Sequence, residues 1–459
     1  MRSLPRPQAI ARTAAQVAQE PRNPNDIPDH ACDCGTPSAR DRVSDPAARG
    51  ARKALRSKGS GGFLGNTAKS AVVALQIDHE TGEIKPDGMP FDKAARKVER
   101  FMLQKVVKGL MGSSRTAKCL RWLQANKKAV EVWRSHEYKT ASYAGLQTCG
   151  SVWACPVCAA KIAERRRVEL LGAMTMHKAV GGTVFMLTLT APHQRVDALA
   201  DLLPKHANAL RRFWSLKAVR KAIAEMGVLG QIRAAEVTHG RRSDQNNGWH
   251  PHHHVLLFAG AGVGCGDLGG ADLKDWACRL YLQWAKCCES VGLGTPSYAH
   301  GLRLDDGSKA ASYVAKWGLE DEMTKGHTKK ASKGETPFDF LRAVLADATD
   351  KQAGALFVDF AQAFKGKRQL TWSPGLKARL AVVETTDEEL AAKTDDCALL
   401  LGRITLEEWR LVLKAEGRAL VLQLAENGGW DAVERYLAGL GAQGGASGLS
   451  CSKQEGALP

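Results

Sequence analysis

One stretch constrains this chain more than any other: Asn246–Phe258, NNGWHPHHHVLLF. It sets His250, His252, His253 and His254 within five positions and then turns wholly apolar. Val255, Leu256, Leu257 and Phe258 read as a strand fixed in a core. Alternate side chains of a strand share a face, so His250, His252 and His254 point one way and His253 and Val255 the other. Two imidazoles at i and i+2 can bind one metal ion. The preceding strand, QIRAAEVTHG (231–240), supplies Glu236, and the polar loop RRSDQNNGWHP joins the two. If the strands pair across that loop, Glu236 lies beside His252 and His254. Two imidazoles, a carboxylate and open positions make a divalent-metal site. The plainer reading is a set of surface histidines at a strand end. His250 precedes Pro251 and is a spare ligand; His253 packs or faces solvent.

A chain of 459 residues holds two or three domains. Residues 1–90 are rich in Pro, Gly, Ala, Asp and Arg and are expected to be mostly disordered and basic. Residues 91–180 begin with a basic helix (91–112) and form a module of their own. From Gly182 the pattern alternates: a strand at 183–191, helices, the histidine hairpin, a helix at 271–292, a short strand in HGLRLDD and a helix in GSKAASYVAKWGLEDEM. Hairpin-neighbour strands with helices between them predict an α+β domain over 181–380, an antiparallel β-sheet covered on one side by flanking helices. Residues 381–459 read as a helical region. No apolar run reaches eighteen residues and the N-terminus lacks a secretory core, so a cytoplasmic protein is expected. The net charge is +17, and Lys and Arg outnumber Asp and Glu by 13 within residues 61–360 alone. Such an excess suits a polyanion, nucleic acid above all, although solubility alone would also account for it.

Two further patterns carry chemistry. In CGSVWACPVCAAKIAERRRVEL, Cys155 and Cys158 have the C-x-x-C spacing and Cys149 lies six residues upstream of Cys155. A structural Zn²⁺ needs four ligands; Cys119 is the candidate fourth and His136 the runner-up. The helix that follows carries Lys161, Arg165, Arg166 and Arg167, candidate DNA contacts. Free cysteines beside a surface helix are the plainer reading. In KAASYVAKWG, Tyr313 and Lys316 stand three apart and share a helical face. A phenol with a pKa near ~10 attacks poorly at neutral pH unless a metal polarises the target and an ammonium stands close. A tyrosine packed on a helix beside a solvated lysine is the alternative.

Together these residues resemble the rolling-circle replication initiator (Rep) proteins of bacterial plasmids, within the HUH endonuclease superfamily. FMLTLTAPH (185–193) is similar to the family's first motif, HPHHHVLL (250–257) to its histidine motif and YVAKW (313–317) to its tyrosine motif, in the family's order. The cysteine knuckle and RQLTWSPGLKARL (368–380) also resemble members; the likeness spans about residues 115–380. It implies an HUH-like fold with His252 and His254 as the metal pair, Tyr313 as nucleophile and Lys316 as its helper. Glu236 as third ligand rests on strand pairing. The implied cofactors are Mn²⁺ or Mg²⁺ at the histidines and a structural Zn²⁺ at the cysteines. The implied partners are plasmid origin DNA, duplex and single strand, with a host helicase and DNA polymerase. Two departures stand out: His253 sits where a bulky apolar residue is usual, and Lys309 sits where some members carry a glutamate four residues before the tyrosine. A transposase or relaxase of the same chemistry is an alternative, although relaxases often place the tyrosine before the histidines. A non-catalytic zinc-containing regulator is another. A non-haem oxygenase explains neither the charge nor Tyr313.

Overall fold

A computed structural model describes residues 93–446 except 137–138, 244–245, 262–269, 306–333 and 393–397, together with two short paired strands, β1 (Leu75–Ile77) and β2 (Ile84–Pro86). Those two strands fall inside the segment expected to be disordered; the rest of 1–90 lies outside the described residues. Residues from Ala68 onward form one compact unit.

Its centre is a five-stranded antiparallel sheet: β5 (Thr183–Thr190), β6 (Val228–His239), β7 (Trp249–Ala259), β8 (Leu302–Asp305) and β9 (Leu370–Trp372), in the order β8-β5-β7-β6-β9. The apolar run of the histidine motif thus becomes the middle strand. The sheet is buried on both faces rather than one. On one face Phe185, Leu187, Leu189, Val255 and Leu257 join the core of α4 (Leu199–Ser215), α6 (Gly270–Glu289), α8 (Pro337–Ala346) and α9 (Lys351–Ala363). On the other, Val184, Ile232, Ala234, Leu256 and Phe258 meet Leu170, Ala173 and Met174 of α3 (Pro156–Ala179). An uninterrupted apolar strand is the mark of a strand covered twice. The second apolar cluster stops at Leu256, and the next residues on that face of β7 are His254 and His252.

A second sheet takes a strand from the C-terminal region expected to be helical, beside that region's helices. β3 (Ala129–Ser135) pairs on one side with β4 (Ala141–Ala144) and on the other with β10 (Ala398–Thr405), seven register pairs long. The core over this sheet draws Val130 and Val132 from β3, Phe101 from α1 (Lys93–Met111), and Trp409, Val412, Val421, Leu422 and Val433 from α12 (Leu406–Lys414), α13 (Arg418–Asn427) and α14 (Gly429–Ala446). At Gly402 a Cβ would come within 2.1 Å of the Trp430 ring, so only a glycine lets that indole lie on β10.

A buried polar chain ties the two ends of this module together. The Arg418 guanidinium, fully buried, donates to Gln104 Oε1 and to the Leu120 carbonyl (3.4 Å), and lies over the Phe101 ring (4.7 Å). The Gln104 amide in turn donates to the Cys119 carbonyl. Burial pushes the Arg418 pKa down to about 10, with Arg121 adding to the push and Glu416, 3.6 Å away, opposing it. Trp409, buried to 1 % exposure, donates its indole N–H to the Arg121 carbonyl at 2.8 Å. Trp409→Ala is therefore expected to cost about 3–5 kcal/mol, read as a lower urea midpoint, although residue 409 lies far in sequence from the cysteines and histidines.

Candidate metal centres

The register of β6 against β7 sets Glu236 directly opposite His252, and Ala234 opposite His254. Cross-strand partners share a face, so the carboxylate is directed between the two imidazoles. Glu236 Oε2 lies 3.4 Å from His252 Nε2 and 3.2 Å from His254 Nε2. The three ligand atoms lie within 4.8 Å of one another. Ligands ~2.1 Å from one ion and at right angles stand roughly 3 Å apart, so the set fits a divalent ion. The expected triad of His252, His254 and Glu236 is brought together.

The far nitrogens of the imidazoles are also engaged. His254 Nδ1 lies 3.1 Å from Thr188 Oγ1, and His252 Nδ1 lies 3.4 Å from the His250 carbonyl. A ring whose Nδ1–H donates keeps its Nε2 lone pair free for a metal. Thr188 is the residue that sequence reasoning missed. It lies in the FMLTLT strand, and only the pairing Thr188↔His254 reveals its role. His253 packs on the opposite face, stacked on His206 of α4 with ring centroids 5.2 Å apart. Burial holds both rings neutral, pushing the His206 pKa down to about 4. His250 meets His193, which follows β5, with their Nδ1 atoms 3.4 Å apart; Tyr313 and Lys316 lie outside the described residues.

The four cysteines meet as well. Cys119, Cys149, Cys155 and Cys158 are all buried, with Sγ atoms within 4.8 Å of one another. Cys119–Cys158 is 3.4 Å and Cys149–Cys158 is 3.7 Å. Sulfurs ~2.3 Å from a tetrahedral Zn²⁺ are roughly 3.8 Å apart, so this donor set fits zinc. Cys119 follows the short α2 (Arg115–Lys118), and it takes the fourth place. The runner-up, His136, is exposed after β3 and stands outside the cluster. Hydrogen bonds from the Cys119, Cys149 and Cys155 thiols hold Cys158 well below the usual thiol range, with the Gly150 backbone N–H contributing.

Two of the candidate DNA contacts on α3 are engaged within the protein. Arg166 is buried and spent on Asp387 (2.8 Å), Glu169 (2.6 Å) and the Thr385 carbonyl (2.7 Å). Lys161 donates to the Ala391 carbonyl at 2.8 Å. Both hold the segment 385–392, which includes α11 (Asp387–Ala392), against the cysteine centre. Arg167 pairs with Glu164 at 2.8 Å, and Arg165 is half-buried.

Comparison with known proteins agrees with this geometry. A family model described as "Replication protein" matches residues 142–262, which contain three of the four cysteines, Glu236, His252 and His254. A curated relative from Streptomyces lividans named "Protein rep" is 29% identical, over 62% of this chain and 75% of its own length. A "Neomycin resistance protein" from Streptomyces cyanogenus is 31% identical over 25% of this chain and 31% of its own length. No solved structure matches. Among the described residues no helix is long and apolar enough to cross a membrane.

Two outcomes follow. Thr188→Val, close to isosteric, should weaken Mn²⁺ binding about 10- to 100-fold in calorimetry while the folded chain melts within a few degrees of the parent. Cys119→Ser should drop the zinc content from one ion per chain towards none, measured by elemental analysis, and leave residues 115–160 open to proteolysis.

Proposed function

From the premise that this chain is a plasmid Rep protein, we propose that it starts rolling-circle replication by nicking one strand of the plasmid at its double-strand origin. The observation that carries the reading is the Glu236–His252–His254 triad inside the matched replication-protein domain. The fit of three hard and borderline donors suits Mn²⁺ or Mg²⁺, which when bound supplies the charge that polarises the scissile phosphate. His252, His254 and Glu236 hold the site's shape, and Thr188 and the His250 carbonyl fix the ring orientations.

Tyr313 is the proposed nucleophile. Its hydroxyl oxygen forms a bond to phosphorus as the bond from phosphorus to the 3′ oxygen breaks. The products are a 5′-phosphotyrosine link and a 3′ oxygen that takes up a proton in place of the one the phenol gives up, leaving a free 3′-OH. Lys316, three residues on in the sequence, would stabilise the phenolate. The covalent link conserves the phosphodiester's energy, so a later strand transfer needs no ATP. A host polymerase would extend the 3′ end while a helicase opens the duplex, in the bacterial cytoplasm.

Described residues on either side of Tyr313 support its assignment to this site. On the N-terminal side, Asp305 pairs with Met186 of β5. On the C-terminal side, Glu335 bridges His239 of β6 and takes both Arg241 Nε (2.9 Å) and Nη2 (2.9 Å). Asp350 holds the same arginine at 2.7 Å. Met186 lies on one side of Thr188 along the strand axis, and His239, opposite Trp249, lies beyond His250 on the other. The two anchors thus bracket the level of His252 and His254.

The test is incubation of the purified protein and Mn²⁺ with a supercoiled, origin-bearing plasmid. Wild type should give open circles carrying covalently bound protein. Tyr313→Phe should form neither, and His252→Ala with His254→Ala should lose at least 100-fold in rate. Nicking by Tyr313→Phe at the wild-type rate would remove the assignment.

A further inference from the structure

We infer that the loop Arg115–Lys128 is a docking surface for an unpaired DNA strand, with Trp122 as its stacking platform. The inference rests on the reading that the chain acts on DNA. Residues 93–128 hold eleven Lys or Arg and a single acid, Glu99; the loop itself has five basic residues and no acid. Trp122 is 56% exposed and is the one exposed tryptophan among the described residues. Lys118 Nζ lies 4.8 Å from its ring centroid, and Arg115, Lys127 and Lys128 are exposed.

The exposure is built in by the backbone. Leu120 adopts φ +48°, a left-handed conformation that is unfavourable for a leucine. That turn sends Arg121 inward, buried and 3.4 Å from Glu416, and leaves Trp122 outside. The chain around the indole is held firmly. Leu120 N–H donates to the Gln147 carbonyl and Gln147 N–H to the Trp122 carbonyl, both at 2.8 Å. Gln147 Nε2 donates to the Leu123 carbonyl at 2.9 Å, and Gln124 N–H to the Gly145 carbonyl at 2.9 Å. Cys119, three residues back, belongs to the cysteine cluster. An aromatic ring held outward on a stiff support, with the Lys118 ammonium over it and no acid within its own stretch of chain, suits a strand whose bases are free to stack. Duplex bases are already stacked on one another and give the ring no face. Arg166 and Lys161 of α3 are engaged by residues 385–391, whereas Arg115, Lys127 and Lys128 of this stretch are exposed.

The experiment uses the full chain, a fluorescein-labelled 20-nucleotide strand and the matched duplex, read by anisotropy. Trp122→Ala should weaken single-strand binding about five- to a hundred-fold and duplex binding by less than about two-fold, with melting temperature and zinc content unchanged. Trp122→Phe should recover most of the single-strand affinity. Lys127→Ala with Lys128→Ala should weaken both and lower the single-strand salt slope by about 1.4. Wild-type affinity in Trp122→Ala, or equal losses for strand and duplex, would overturn the proposal. Tyr313→Phe should bind as wild type. A wild-type protein that fails to nick but keeps the Trp122 dependence would therefore remove the proposed reaction and leave this surface standing.

Discussion

The pairing of β6 with β7 is the constraint on which the rest of the molecule depends. A shift of one residue would carry Glu236 to the opposite face and leave two imidazoles without their carboxylate. The register is held by burial: Val255, Leu257 and Ala259 must meet one core while Leu256 and Phe258 meet the other. Both faces being covered, neither set can turn outward without exposing several apolar side chains. A polar site is thereby positioned by apolar packing at the other end of the same strand. The departure at His253 fits this account, since its ring is buried against His206 in the apolar layer and kept neutral there.

The cysteine centre depends on a different device. Its four sulfurs come from two stretches, Cys119 on one side and Cys149–Cys158 on the other, and a metal would close them. The module that carries them is completed by residues almost three hundred positions away. Arg418 reaches Gln104 and the Leu120 carbonyl, Gln104 reaches Cys119, and β10 pairs along β3. A fully buried guanidinium is costly unless its donors are met; here Gln104 and the Leu120 and Phe101 carbonyls take the Nη groups and the Phe101 ring covers its face, while Nε has no acceptor. The C-terminal residues therefore take part in shaping the cysteine module and the basic loop next to it.

The histidine strand, its alternation and the pairing with Glu236 were legible in the sequence because a period of two and a polar loop leave few other arrangements. The C-x-x-C knuckle was legible for the same kind of reason, and Cys119 followed from the need for a fourth ligand. The strand character of residues 398–405 was not. The run is short, sits directly before a helix, and becomes a strand through the partner that β3 offers. The partners of the basic row on α3 were not legible for a related cause. Spacing shows which residues share a helix face, but Arg166 and Lys161 face a segment more than two hundred residues later.

What the sequence determined by itself is the local chemistry: which side chains can ligate, which strand holds them, and that the chain as a whole is strongly basic. Those follow from side-chain identity and from the fixed periods of strand and helix. Tertiary structure alone decided which charges are spent and which are offered. Arg166, Arg121 and Arg418 are turned inward to partners of their own, whereas Lys127 and Lys128 stay exposed, as does Trp122 with the Lys118 ammonium over its ring. The reason is that the fate of a charge depends on what the fold sets opposite it, and that partner is usually distant in sequence.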